Sequence, residues 1–252
     1  DDATEVIRLD LESFLGYRER GFAYRKLREF SKAIDDLSET IRLNPEDSWA
    51  YGQRAISYNG LEEFSKAIDD ATEAIRLDPE SVFGYGQRGF AYNRIQEFSK
   101  AIDDLSEAIR LNPQLAEAYI NRGGAYFSLG QNERAIKEFD VGIRLDPQRT
   151  TAYLARGNAY FNLGQYQRAI QDYDAGLHLD PRRTKAYLDR GNSYFNLGQY
   201  QRAIHDYGIA ISFNVRYGLA YRNRGIAFAN LGQAANAKVD LDKACQLDQK
   251  YC

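Results

Sequence analysis

The stretch that decides the fold is residues 153–181, which read YLARGNAYFNLGQYQRAIQDYDAGLHLDP. Its last residue belongs to a series of prolines that stand 34 residues apart. The series is Pro45, Pro79, Pro113, Pro147 and Pro181. The same step forward reaches Val215 and Gln249, where the proline is gone but the period continues. A fixed period of this length indicates a chain built of repeats.

Four further columns of residues keep this spacing through seven repeats. In the quoted stretch they are an aromatic residue, a small residue, a second aromatic residue and an alanine, namely Tyr153, Gly157, Tyr160 and Ala169. The first three share one face of a helix because they are four and three residues apart. The alanine belongs to the packing face of a second helix. One such helical hairpin cannot bury its apolar face alone, so neighbouring hairpins are predicted to stack.

This pattern resembles the tetratricopeptide repeat, with Tyr for the signature Trp and Arg for the signature Leu. The resemblance implies an all-α fold, a right-handed superhelical α-solenoid of stacked helix-turn-helix hairpins. Residues 1–13 match the second helix of a truncated repeat, so about fifteen helices are expected, together with a parent chain that extends upstream. The predicted repeats are residues 14–47, 48–81, 82–115, 116–149, 150–183, 184–217 and 218–252, the last resembling a cap.

Composition narrows the classes of function. No apolar run is long enough to span a bilayer. The net charge of −3 conceals an asymmetry, because residues 1–126 carry 16 Lys/Arg and 24 Asp/Glu while residues 127–252 carry 17 and 12. The second half is basic but mixed in charge, so nucleic-acid binding is not expected. The two cysteines, Cys245 and Cys252, are expected to be ordinary thiols, and no metal-ligand spacing is present.

No catalytic, metal or cofactor site is predicted. Residues 84–89 read GYGQRG and match the dinucleotide fingerprint, but that motif requires a preceding strand. Here it falls inside a predicted first helix. The two histidines, His178 and His205, lie in different repeats and form no triad or dyad by spacing. The chain is therefore expected not to be an enzyme and to take no small-molecule substrate.

An arginine and an acid recur 16 residues apart in every repeat. Bidentate pairing of arginine with a carboxylate suits a partly buried position, so these pairs are interpreted as structural links between helices. The alternative is a ladder of ligand-binding arginines. The predicted pairs are Arg20–Asp36, Arg54–Asp70, Arg88–Asp104, Arg122–Glu138, Arg156–Asp172, Arg190–Asp206 and Arg224–Asp240.

The resemblance implies that the first helix of each repeat lines a concave groove. The first three repeats then present an apolar wall of Leu15, Phe22, Trp49, Ile56, Phe83 and Phe90. Repeats five and six present asparagines with phenylalanines beside them, at Asn158, Phe161, Asn162, Asn192, Phe195 and Asn196. An asparagine amide both donates and accepts hydrogen bonds, so this row suits the backbone of an extended peptide. The alternatives are that the aromatic residues form core and that the asparagines solvate the surface.

Two functions follow from this arrangement. The first is a protein-interaction scaffold that binds a peptide or partner segment in the groove. The second is a self-associating array, in which the acidic half of one copy contacts the basic half of another, head to tail. The expected partner is a protein or extended peptide, or a further copy of the chain.

Overall fold

The computed structural model describes residues 14–252. In that range the chain forms fourteen α-helices and one short 3₁₀ turn, Gln249–Tyr251, and no strand. The predicted helix in residues 1–13 lies outside the described residues. None of the described helices is long and apolar enough to cross a membrane. The helices are α1 (Phe14–Lys26), α2 (Phe30–Leu43), α3 (Ser48–Gly60), α4 (Phe64–Leu77), α5 (Val82–Arg94), α6 (Phe98–Leu111), α7 (Ala116–Ser128), α8 (Asn132–Leu145), α9 (Thr150–Asn162), α10 (Tyr166–Leu179), α11 (Thr184–Asn196), α12 (Tyr200–Phe213), α13 (Gly218–Asn230) and α14 (Ala234–Leu247).

The helices fall into two compact units. Unit 1 ends at Gln131 and contains α1–α7, and unit 2 begins at Asn132 and contains α8–α14. In unit 1 the hairpins are α1–α2, α3–α4 and α5–α6, and each stacks on the helix that follows it. In unit 2 the hairpins are α9–α10, α11–α12 and α13–α14, stacked in the same way, with α8 against α9. Each unit is therefore an α-solenoid, and the predicted all-α fold of stacked hairpins is confirmed.

The turn inside each hairpin uses one residue in the left-handed region. From the fourth repeat onward that residue is glycine, with φ between 70° and 74°, at Gly130, Gly164, Gly198 and Gly232. The first three repeats place Arg28, Glu62 and Gln96 at the same position, with φ of 63°, 61° and 66°. Only glycine adopts this conformation without steric cost. The turn geometry is thus common to all repeats, whereas the glycine is not.

The turn between repeats is built by the residue before the proline. The side chain of Asp78 accepts a hydrogen bond from the Glu80 backbone N–H at 3.0 Å. Asn214 accepts one from Arg216 at 3.0 Å, although Val215 replaces the proline there. Proline keeps the residue before it out of the helical region. The Asn214 turn forms without that restriction, so the side-chain bond accompanies the turn in both cases.

Helices within a hairpin pack through a small residue that faces a residue 16 positions later. A Cβ built on Gly157 would lie 2.9 Å from Tyr173, and one on Gly191 would lie 2.7 Å from Tyr207. In the second repeat the same two positions hold Ala55 and Ala71, both fully buried. The large tyrosine rings therefore face glycine, whereas the alanine in the second repeat faces a small alanine.

The expectation that both cysteines are ordinary thiols is wrong. Cys245 in α14 and Cys252 form a disulfide, with Cα atoms 4.6 Å apart. The chain leaves α14 at Leu247 and turns back through the 3₁₀ turn, which brings the two residues within bridging range. In the same turn Tyr251 packs so closely on Gly218 that a Cβ there would lie 3.0 Å from the ring. The disulfide therefore joins the last turn to the last helix.

Candidate functional site

Unit 1 contains an apolar groove of about 830 Å³ between its first helices. Five of the six residues predicted for the apolar wall line it, and Phe83 among them is 53% exposed. Leu15 is 51% exposed but does not line the groove. We call this cavity the unit 1 groove. Its predicted members are Phe22, Trp49, Ile56, Phe83 and Phe90, and α7 adds Glu117, Ala118 and Asn121.

Trp49 is held in place by its neighbours. Its ring centroid lies 5.6 Å from that of Phe22, and the Arg18 guanidinium lies 4.3 Å from the indole centroid. Arg18 is in turn 3.4 Å from Asp47, which caps α3 by accepting a hydrogen bond from the Ala50 backbone N–H. A tryptophan stacked under a cation keeps a fixed orientation. The half-buried indole thus forms a rigid part of the groove wall.

Two residues that line the unit 1 groove have a buried amide oxygen without a hydrogen-bond donor. Gln53 is 2% exposed and Asn59 is 8% exposed, and neither side-chain oxygen has a partner among the described residues. The Asn59 nitrogen donates to the backbone oxygen of Gln87 at 3.1 Å and to its side-chain oxygen at 3.0 Å, which fixes the amide. An unpaired buried acceptor costs about 1–3 kcal/mol. The wall of the groove therefore contains two unsatisfied acceptors, both covered by the protein.

One end of the unit 1 groove is cationic. Arg25 and Lys26 lie 4.9 Å and 5.3 Å from the Phe22 ring centroid, and both line the groove. Burial lowers the pKa of Arg25. Its Nε has no partner within residues 14–252. Sequence reasoning missed Arg25, Gln53 and Asn59, although polar residues on the groove face of a first helix are the signal that would have found them.

The asparagines of unit 2 are already partly bonded. Asn158 accepts a hydrogen bond from the Tyr173 hydroxyl at 2.8 Å, and Asn192 accepts one from Tyr207 at 2.8 Å. Asn192 accepts a second bond from the Asn223 amide at 2.9 Å. Both tyrosines are 1% exposed, and burial raises their pKa, so each keeps its proton as a donor. The two asparagine oxygens are thus occupied by the protein itself.

The other predicted residues of unit 2 lie at the hairpin turns. Phe161 and Phe195 meet the rings of Tyr166 and Tyr200 edge-on, at 5.3 Å and 5.2 Å between centroids. The exposed Asn162 donates to Asn132 at 3.4 Å, and the exposed Asn196 donates to the Asn192 backbone oxygen at 2.8 Å. The phenylalanines therefore close the hairpin, and their contribution to binding stays a prediction.

The arginine column forms bidentate pairs with the acid column. In six repeats the arginine donates through Nε and Nη2 to the two carboxylate oxygens, at 2.6–2.8 Å. The pairing of Arg122 with Glu138 stays a prediction. The acid side chains are buried, and burial raises the pKa of Asp70 and Asp172 despite their arginines. The six pairs are Arg20–Asp36, Arg54–Asp70, Arg88–Asp104, Arg156–Asp172, Arg190–Asp206 and Arg224–Asp240.

Most of these arginines also donate backward, to the residue 16 positions earlier in the preceding repeat. Arg156 reaches Asp140 and Arg190 reaches Asp174, both at 2.6 Å. Burial lowers the pKa of Arg156, but its bonds to Asp172 and Asp140 raise it above the usual value. Sequence reasoning missed this column, which reads Ser, Thr, Ser, Asp, Asp. The remaining backward bonds are Arg54 to Ser38, Arg88 to Thr72 and Arg122 to Ser106, at 2.9–3.1 Å.

Gly208 interrupts this column, and we expect Gly208→Asp to stabilise the chain. A Cβ on Gly208 would lie 3.6 Å from Arg224 Nη1, an ordinary contact. An aspartate there would supply the acceptor that Asp140 and Asp174 supply to their arginines. The control is Gly208→Asn, whose side chain has the same shape but no charge. We expect the free energy of unfolding to be about 1 kcal/mol higher for Gly208→Asp than for Gly208→Asn. Urea unfolding followed by circular dichroism measures both, and equal stabilities would contradict the expectation.

The GYGQRG stretch, residues 84–89, lies inside α5 and follows no strand in the described chain. A Cβ on Gly84 would lie 2.7 Å from Ile75, and one on Gly89 would lie 2.7 Å from Leu105. These glycines serve close helix packing. No group of three or more His, Cys, Asp and Glu in the described part of the chain is placed to hold a metal ion.

Comparison with known families finds the repeat in the sequence itself. A family model described as TPR repeat matches residues 89–130, 123–164 and 157–198, and one described as Tetratricopeptide repeat matches residues 188–252. Together they span about two thirds of the chain. No curated protein matches the sequence.

Solved structures share the fold. The crystal structure of MamA protein is 25% identical, with a TM-score of 0.64, and the match covers 68% of this chain and 94% of that one. A tetratricopeptide repeat protein from Parabacteroides merdae is 20% identical over 94% of this chain and 93% of its own, with a TM-score of 0.66. YrrB, described as a TPR protein with an unusual peptide-binding site, is 22% identical over 73% and 95%, with a TM-score of 0.61.

Proposed function

The chain belongs to the tetratricopeptide repeat family of protein-interaction scaffolds, and on this premise we propose that the unit 1 groove binds a linear apolar segment of a partner protein. The observation that carries the proposal is the combination, in one cavity, of a partly exposed apolar wall with unpaired buried acceptors. Apolar side chains of the segment fill the space beside Trp49 and Phe83. Its N–H groups donate to the Gln53 and Asn59 oxygens after these buried side chains turn toward the groove.

Two general considerations support this proposal. Exposed aromatic residues grouped in one concavity mark interaction sites more often than single exposed apolar residues do. A ligand that supplies the missing donors gains hydrogen bonds that the empty groove lacks. The fold is compatible with such a role, since YrrB shares it and is described as having a peptide-binding site. The self-associating array remains the alternative, and no specific contact in the described residues favours it.

Trp49 allows a direct test because it is the only tryptophan in the chain. Linear peptides selected from a random phage-displayed library are titrated against the protein while tryptophan emission is recorded. We expect apolar peptides to shift the emission to shorter wavelength as the half-buried indole loses water. Phe83→Ala should weaken their binding by about tenfold or more, because truncation of a central aromatic anchor costs at least 1–2 kcal/mol.

Leu27→Ala is the matched control, since Leu27 is 68% exposed, lies in unit 1 and does not line the groove. It should bind the selected peptides as the natural chain does. Circular dichroism of both variants checks the fold, which should be unchanged because Phe83 is already 53% exposed. Peptides that bind Phe83→Ala and Leu27→Ala equally well, or that leave the Trp49 emission unchanged, would argue against this groove.

A further inference from the structure

The Cys245–Cys252 bond stands at a repeat position that is otherwise apolar. In the six preceding repeats the position of Cys245 holds Ile41, Ile75, Ile109, Ile143, Leu177 and Ile211. A side chain of this column packs on the first helix that follows it, since a Cβ built on Gly84 of α5 would lie 2.7 Å from Ile75 of α4. In the seventh repeat, a bond that a reductant can open therefore takes the place of an apolar side chain.

We propose that the Cys245–Cys252 bond is a redox latch, a thiol–disulfide exchange site whose reduction by a small thiol releases Tyr251 and loosens the α13–α14 hairpin. The redox latch lies in unit 2 and does not depend on the unit 1 groove. Its parts are the bond, the Tyr251 ring and a hairpin that has fewer bonds to the preceding repeat than its neighbours have.

The Tyr251 ring is what the bond holds in place. A Cβ built on Gly218, the first residue of α13, would lie 3.0 Å from this ring and 3.5 Å from Leu247 of α14. The half-buried ring thus covers the start of α13 next to the end of α14. Once the bond opens, the ring depends on local hydrogen bonds such as the exposed one from the Lys250 backbone N–H to the Asp248 carboxylate, at 3.1 Å. Opening the bond therefore frees the cover of α13.

The hairpin beneath the ring lacks an ionic restraint that the hairpins before it have. Arg156 and Arg190 each bond backward to an aspartate of the preceding repeat at 2.6 Å. Arg224 of α13 meets Gly208 at that position, and its carboxylate partner in the described chain is Asp240 of its own hairpin. A segment with fewer bonds to its neighbours opens locally at a lower free energy. The disulfide therefore restrains the hairpin that most needs it.

Opening of the α13–α14 hairpin uncovers apolar side chains of α12. Tyr207 and Ile211 are 1% and 8% exposed, and they belong to a buried cluster that Ala220 and Ala227 of α13 complete. When α13 moves away, the tyrosine ring and the isoleucine side chain meet water. The reduced chain therefore has an apolar surface that the oxidised chain covers.

The exchange chemistry is set by which sulfur a thiolate can reach. Cys252 is exposed, whereas Cys245 is half-buried. The thiolate attacks Cys252 Sγ and forms a mixed disulfide, while the bond between the two cysteines breaks and Cys245 Sγ leaves as a thiolate that takes up a proton. A second thiol then attacks the small-molecule sulfur of the mixed disulfide and releases the Cys252 thiol. The protein gains two electrons and two protons, and the two small thiols become one disulfide.

Hydrogen–deuterium exchange with mass spectrometry tests the redox latch by comparing the natural chain with and without dithiothreitol. Because Cys245 and Cys252 are the only cysteines, dithiothreitol opens no other bond. We expect amides of α13–α14 to exchange at least about tenfold faster after reduction, and those of α9–α10 less than about twofold faster. Anilinonaphthalene sulfonate fluorescence should rise as Tyr207 and Ile211 become uncovered. Equal exchange of α13–α14 in the two states would overturn the proposal.

Three variants separate the bond from the ring. Cys245→Ser/Cys252→Ser should exchange α13–α14 as fast as the reduced natural chain and should not respond to dithiothreitol. Tyr251→Ala keeps the bond and should exchange these amides several-fold faster while still oxidised. Val239→Ala is the matched control, because Val239 lies in α14 but is 67% exposed, and its exchange should be unchanged. Slow exchange in the double serine variant would refute the role of the bond, and slow exchange in Tyr251→Ala would refute that of the ring.

A titration with glutathione distinguishes a redox latch from a permanent structural bond. The chain is equilibrated in buffers of increasing reduced-to-oxidised glutathione ratio, and free thiols are counted by maleimide labelling and intact mass. We expect labelling to rise from neither cysteine to both across these buffers and to fall again on reoxidation, because exposed disulfides are the labile ones. A bond that stays closed in fully reduced glutathione would contradict the exchange role.

Discussion

Replacement of Arg156 by alanine is expected to lower the free energy of unfolding by about 3 kcal/mol. The guanidinium is 19% exposed and donates to Asp172 at 2.6 Å and 2.8 Å and to Asp140 at 2.6 Å. Its removal leaves the buried Asp172 carboxylate without a cation. Because a buried unpaired charge is costly, the loss should far exceed that of a surface pair. Urea unfolding followed by far-ultraviolet circular dichroism measures the difference.

Arg149→Ala provides the control for loss of an arginine as such. Arg149 pairs with Asp146 at 3.0 Å, but both side chains are more than one third exposed. Its removal should cost less than about 1 kcal/mol. The Arg156→Ala variant should still bind peptides in the unit 1 groove. Loss of ligand binding with unchanged stability would instead identify the column as ligand-binding arginines.

Tyr207→Ala is expected to lower the free energy of unfolding by about 3–5 kcal/mol, because its fully buried ring leaves a cavity. Gly191→Ala should cost about 1–3 kcal/mol, because the new methyl group meets the same ring at 2.7 Å. The methyl group added at Gly191 can occupy space that removal of the Tyr207 ring leaves empty. We therefore expect the double variant to be more stable than the sum of the single variants predicts, by at least about 1 kcal/mol.

A second double variant, at two sites that do not touch each other, is the control for additivity. Leu241 contacts Gly225 rather than Gly191, so Gly191→Ala combined with Leu241→Ala should be additive within about 0.5 kcal/mol. All variants are measured by the same urea unfolding experiment. Additivity in the Gly191–Tyr207 pair would contradict the close packing of Gly191 against the Tyr207 ring.

The hairpins could be predicted from sequence because each local signal agrees with the repeat. Tyr153, Gly157 and Tyr160 share a helix face, and a residue before proline ends the second helix. Periodicity also pairs each arginine with its acid, since equal spacing in every repeat implies equal geometry. The disulfide could not be predicted in this way. It depends on Cys245 and Cys252, and the preceding repeat has Ile211 and Gly218 at those positions, so the period carries no signal for it.

The candidate binding surfaces were only half predictable. The repeat spacing identified which side chains line the unit 1 groove, because helix periodicity determines which face of the helix each residue occupies. It did not identify which amide atoms are presented. That depends on Gln87, 28 residues from Asn59, and on Tyr173, 15 residues from Asn158. A composition-level reading treats all asparagines alike, whereas hydrogen-bond partners make one an acceptor and another a donor.

The backward bonds of the arginine column have a consequence for cooperativity. Each of these arginines bonds to residues on both sides of a repeat boundary. One repeat therefore cannot unfold without exposing charge in the next. Stacked repeats that would otherwise melt one at a time are thereby coupled to their neighbours. Arg224 faces Gly208 and lacks that bond, so we expect the final hairpin, α13–α14, to unfold before the rest of unit 2.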